Sequence, residues 1–176
     1  LVITLIFSDF IRSHMPYTKK GVTYAVLAAI AQASTNYFLQ NHLAAEVGES
    51  IVCIPDGIGL AVLLLQGWQY WPFVLLGSFI GEIGDSHSLL ADMLLALALL
   101  LSYFICAFLL RYLFKFDIYI RSLKDYMRLL SASFVGALCG AAISVGILLW
   151  GNLPLSEPLA ESFRERFIGD FFGFAF

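Results

Sequence analysis

Residues 89–114 read LLADMLLALALLLSYFICAFLLRYLF, an apolar run carrying two charges, Asp92 and Arg111. As a helix at ~1.5 Å per residue it exceeds the ~30 Å hydrocarbon core of a bilayer, so it crosses with tilt or emerges as a stalk. The rest of the chain has the same texture. Its 176 residues are 60% hydrophobic, 15% aromatic and 13% charged, with a mean hydropathy of +0.86. A soluble domain carries about 25% charged residues. That deficit excludes an ordinary cytoplasmic enzyme, a disordered tail and a nucleic-acid binder, which needs a basic surface. The fold expected is an all-α polytopic membrane bundle of about six transmembrane helices, at ~20 residues each.

Outward from 89–114, the apolar runs place a first span at 22–41, a second at 51–65 and a third at 72–83. Pro72 stands where proline is tolerated, in the first helical turn. Pro55-Asp56-Gly57 is expected to break the second span early. Residues 115–127 place Phe116, Ile120, Leu123 and Met127 at helical spacing among Lys115, Arg121 and Lys124, which predicts an amphipathic helix on the cytoplasmic membrane surface. A fifth span covers 128–150, and a sixth begins near Phe167 and is truncated. Residues 1–14 read as an upstream or non-native segment, and 15–176 as one integral membrane domain that stops inside its last span.

The charges orient this plan. Arg12, Lys19 and Lys20 precede the first span, and Arg111, Lys115, Arg121, Lys124 and Arg128 link the fourth to the fifth, together eight of the ten Lys and Arg. Both sets fall on one side if the spans alternate, so the positive-inside rule predicts a cytoplasmic N terminus in a bacterial inner membrane. Trp68, Tyr70, Trp71 and Tyr112 would mark the inner interface and Trp150 the outer one.

Few residues suggest chemistry. Cys53, Cys106 and Cys139 lack CxxC spacing and read as small buried hydrophobes. No nucleophile–base pair, phosphate loop or zinc spacing is present, so no catalytic residue, cofactor or metal is assigned. Asp56 stands out, because a carboxylate at the centre of a span costs roughly 2.5–3.5 kcal/mol on insertion scales. It either lines a cavity at a helix break, with Pro55 and Gly57, or caps a half-helix starting at Ile58. Gln32 and Asn36 share a helix face and could meet a polar ligand or bond to another helix. Asp170 is a second acid entering a span. Glu82, Asp85, His87 and Asp92 form an acidic outer cluster that reads first as ordinary loop charge. The pairs Gly77/Gly81, Gly136/Gly140 and Gly169/Gly173 have the small-xxx-small spacing of close helix packing.

The segment from Pro55 through Ala61, the leucines up to Gly67, Tyr70-Trp71-Pro72, Leu76-Gly77 and Ile168-Gly169-Asp170-Phe171-Phe172-Gly173 resembles the membrane-associated sensor domain of bacterial signalling proteins (MASE, type 1), over nearly the whole of 22–176. The chain departs from that pattern at Ile54, where tryptophan is common, and at Asp56, where a small residue stands. The resemblance implies a sensory input domain of about eight spans that relays a membrane or periplasmic stimulus to a cytoplasmic output domain in the same chain. That output would be a histidine kinase or a cyclic-di-GMP synthase or hydrolase, leaving this fragment without catalysis of its own. The partners it implies are the lipid bilayer, that output domain, a second copy in a homodimer, and an unidentified small-molecule or membrane stimulus. A substrate-binding subunit of a vitamin-type uptake transporter has similar size and composition and stands as the alternative. An intramembrane enzyme would need Asp56 and Asp170 brought together.

Overall fold

A computed structural model describes residues 19–38, 54–82, 89–114, 116, 122–151 and 158–175. All regular structure among them is helical. Helix α1 is Lys19–Phe38, α2 is Ile54–Leu65, α3 is Trp71–Glu82, α4 is Leu89–Phe108, α5 is Leu123–Trp150 and α6 is Leu159–Ala175.

The helix ends follow local chemistry. Pro55 sits in the first turn of α2, where its missing N–H is no loss, so Pro55-Asp56-Gly57 begins this helix and does not interrupt it. Asp56 is therefore neither at a break nor a cap for a helix starting at Ile58. Gly67 ends the turn after α2 at φ 100° and ψ 171°, a conformation open essentially only to glycine, and a 3-10 turn over Trp68–Tyr70 leads into α3. Ser122 caps α5: its Oγ accepts the Asp125 N–H at 3.3 Å and donates to Asp125 Oδ2 at 2.7 Å. The Pro158 carbonyl accepts from the N–H groups of Glu161 and Ser162 and so starts α6.

Helix α6 begins eight residues before the expected Phe167, because Glu161, Arg164 and Arg166 belong to its first turns and not to a loop. The surface helix expected over 115–127 is corrected likewise. Leu123 and Met127 are part of α5, Phe116 is not helical, and Lys115, Ile120 and Arg121 lie outside the described residues. So do 39–41 and 51–53 of the first two expected spans.

At its C-terminal end α4 widens into a π-helical turn over Leu109–Leu113, with Phe114 N–H bonding Leu109 O at 2.9 Å. Together these form a continuous apolar helix, Leu89–Leu113, which with α5 (Leu123–Trp150) has the length and hydropathy to cross a membrane. Helices α2 and α3, of 12 residues each, span only ~18 Å at ~1.5 Å per residue.

The helices pack sequentially as α3 on α4, α4 on α5 and α5 on α6, while α1 lies against α2 and α3, and α2 closes the group against α4 and α6. The centre holds Leu60, Leu63, Val74, Leu99, Tyr103, Cys106, Leu110 and Phe174. The outside is apolar as well: Leu27, Ile30, Leu76, Ile80, Leu101, Phe134 and Leu138 are exposed. Helices hydrophobic on every face suit a lipid solvent. Tyr70 is 2% exposed and belongs to the core, whereas Trp150 is exposed. Trp68 stacks on Phe104 at 5.1 Å between ring centroids.

Candidate functional site

Apolar helices leave few partners for a polar side chain, so the polar groups that α1 to α4 bury find one another. Tyr103 lies fourteen residues into the helix Leu89–Leu113, near its middle, and is fully buried. Its hydroxyl donates to Asp56 Oδ1 at 2.7 Å. Gln32 Nε2 donates to Ser78 Oγ at 2.9 Å and, over a longer 3.4 Å, to the Tyr103 hydroxyl. One directed chain thus runs from Gln32 on α1 through Tyr103 on α4 to the carboxylate on α2, with Ser78 on α3 joined at its start. Hydrogen bonds aligned head to tail polarise one another in low dielectric.

Small residues make the space. A Cβ on Gly59 would stand 2.9 Å from the Tyr103 ring, and one on Gly77 would stand 2.7 Å from Gln32 Oε1. Pro55, next to Asp56, is fully buried. A carboxylate 5% exposed, held by a phenol that is held by an amide, can take up a proton or meet a hydrogen-bond donor.

Asp170 belongs to an adjoining arrangement. It is buried on α6, and a Cβ on Gly140 of α5 would lie 3.0 Å from its Oδ2 and 2.7 Å from Ser102 Oγ. Ser102 in turn donates to Gly136 O at 2.7 Å. Asp56 faces Tyr103 and Asp170 faces the level of Ser102, so both acids approach consecutive residues of α4. Gly173, four residues after Gly169, offers its carbonyl oxygen directly against Gly57. Both Gly169 and Gly173 are buried.

Asn36 does not join this chain. It packs against Gly81, whose Cβ would collide with the Asn36 amide. The acidic outer cluster is also redrawn. Asp92 is buried in the first turn of α4, with Oδ1 lacking a hydrogen-bond partner, and is not loop charge. Asp85 and His87 lie outside the described residues. Among the described residues no three His, Cys, Asp or Glu gather as metal ligands would. Tyr103, Ser78 and Ser102 were missed from the sequence. A tyrosine flanked by serine within a leucine run was the available sign, since a buried phenol needs a partner.

The MASE1 family matches residues 20–175, almost the full length of the chain. The chain belongs to the MASE1 family. MASE1 is a membrane sensor domain of signalling proteins. No curated protein and no solved structure matches the chain. In this MASE1 domain the motif segments of α2 and α6, Pro55-Asp56-Gly57 and Gly169-Asp170, each carry a buried acid.

Proposed function

We propose that this MASE1 domain is the multi-pass input unit of a bacterial inner-membrane signalling protein, with its N terminus in the cytoplasm. In this reading it passes a membrane or periplasmic stimulus to a cytoplasmic histidine kinase or cyclic-di-GMP output domain of the same chain, working as a homodimer. The sensing element is the cluster of Gln32, Asp56 and Tyr103, extended by Pro55, Gly57 and Asp170. The observation that supports it most is the Asp56–Tyr103 hydrogen bond deep among apolar helices. An ionisable group at that depth is costly and is retained for function more often than for stability. A stimulus that binds one protonation or hydrogen-bonding state of Asp56 better than the other shifts the population of helix packings.

The test uses the full-length protein in membrane vesicles. Asp56→Asn and Tyr103→Phe are each expected to change the output activity about tenfold, or to abolish its response, an effect of ~1.4 kcal/mol on a two-state balance. Output indistinguishable from the parent in both variants overturns the reading. Reporter fusions at residue 118 are expected to report a cytoplasmic location, following from the Arg and Lys flanking it.

A further inference from the structure

The chain of contacts does not end at Asp56. The Tyr103 ring meets Phe174 of α6 edge-on, with centroids 5.4 Å apart and an interplanar angle of 77°. The residue after Asp56, Gly57, abuts the carbonyl oxygen of Gly173, the residue before Phe174. Two neighbouring positions on α2 therefore reach two neighbouring positions on α6, one through the Tyr103 ring and one backbone to backbone. The ring has little freedom to absorb a change by itself, because the α2 backbone lies close against it at Gly59: a Cβ there would lie 2.9 Å from Tyr103. Close-packed contacts of this kind shift between discrete arrangements and do not deform smoothly.

We propose that Tyr103 and Phe174 couple the state of the Asp56 carboxylate to the position of α6 against α2, making α6 the moving output element of the bundle. This rests on the reading of Asp56 as the sensing group. When Asp56 stops accepting from Tyr103, through protonation or a competing donor, the phenol is released. Phe174 then follows its ring, and the Gly57–Gly173 contact re-registers. Tyr103 is here a positioning residue, and α6 is where its displacement is read.

Ala61 on α2 and Ala175 on α6 line one groove of about 240 Å³ from opposite helices, together with Leu64, Leu129 and Phe174. A cysteine pair at these two positions measures the separation of the helices. The experiment uses the full-length protein in native membranes, with Cys53, Cys106 and Cys139 replaced by alanine and with Ala61→Cys and Ala175→Cys. The rate of disulfide formation under a membrane-permeant oxidant is compared with and without Tyr103→Phe, which keeps the ring and removes only the hydroxyl, and Asp56→Asn. The expected result is a change of about twofold or more in each, the lower end for substitutions along a coupled pair of elements.

A Gly67→Ala variant, destabilised at the turn that follows α2, is expected to leave the rate unchanged. Rates unaltered in both site variants, or altered equally by Gly67→Ala, overturn the proposal. If Asp56→Asn does not accumulate, Tyr103→Phe decides alone. Altered output in the same variants with an unaltered disulfide rate would remove this route while leaving the sensing role of Asp56 standing.

Discussion

Gly140 and Ser102 stand so close that α5 can carry no side chain where it passes α4: a Cβ at Gly140 would lie 2.7 Å from Ser102 Oγ and 2.9 Å from Ser102 Cβ. The contact also sets how near Asp170 comes to α4, since the same Cβ would meet Asp170 Oδ2 at 3.0 Å. Gly140→Ala is therefore expected to cost about 1–3 kcal/mol by overpacking. Gly146, on the same helix with nothing within 4 Å of its would-be Cβ, provides the contrast. Gly146→Ala is expected to be neutral or to stabilise by up to ~1 kcal/mol through helix propensity. Denaturant titration in detergent micelles measures both, and equal effects would sink the packing argument.

Gln32 joins α1 to both α3 and α4, so its loss leaves a buried hydroxyl short of a donor at Ser78. Gln32→Leu is expected to destabilise by about 1–3 kcal/mol. Adding Ser78→Ala should recover part of that loss, because an apolar pair is cheaper to bury than half a polar one. A double-mutant cycle reads the interaction, and strict additivity would contradict the geometry.

Ser122 and Asp125 close the start of α5, and Arg128 bonds the free carboxylate oxygen, Oδ1, at 3.0 Å. Ser122→Ala is expected to cost about 0.5–2 kcal/mol as a lost N-cap. Faster amide exchange confined to residues 123–127 is the local sign. Arg128→Ala should matter less, since an ion pair with a side chain 42% exposed is screened by water.

Gly67 has open space around it, so its constraint is purely backbone. Gly67→Ala is expected to cost about 1–3 kcal/mol at its φ of 100°. Gly67→Asn should cost nearly as much, because ψ 171° lies outside the left-handed helical region that asparagine tolerates. Thermal unfolding in detergent compares the two.

Much of this architecture is legible in residues, and the failures are specific. The apolar runs locate α1, α3, α4 and α5 closely, because a lipid-facing helix must be hydrophobic along its length. Helix α6 is read late because Arg164, Glu165 and Arg166 lower the local hydropathy of a helix that has already begun at Leu159. Pro55 and Gly57 suggest a break because both weaken helix interiors, yet in a first turn proline is favoured and glycine admits a close neighbour. Asp56 and Gln32 announce themselves as polar groups in apolar surroundings. Tyr103 does not, because it counts as hydrophobic bulk until its hydroxyl is given a partner on another helix. Asn36 shares the helix face of Gln32, as its spacing indicates, and meets Gly81 where Gln32 meets Ser78.

The π-helical turn at Leu109–Leu113 accommodates one residue more than an α-helix of the same rise. One residue is about 100° of helical rotation, so the turn offsets Phe114 from the face that carries Ser102 and Tyr103. Removing one residue from this turn would restore an unbroken α-helical phase and swing the following segment to a new azimuth, with the bilayer-spanning body left undisturbed. The fold thus keeps a one-residue slip at the C-terminal end of the helix that holds the phenol, a rotational degree of freedom beyond its buried polar cluster.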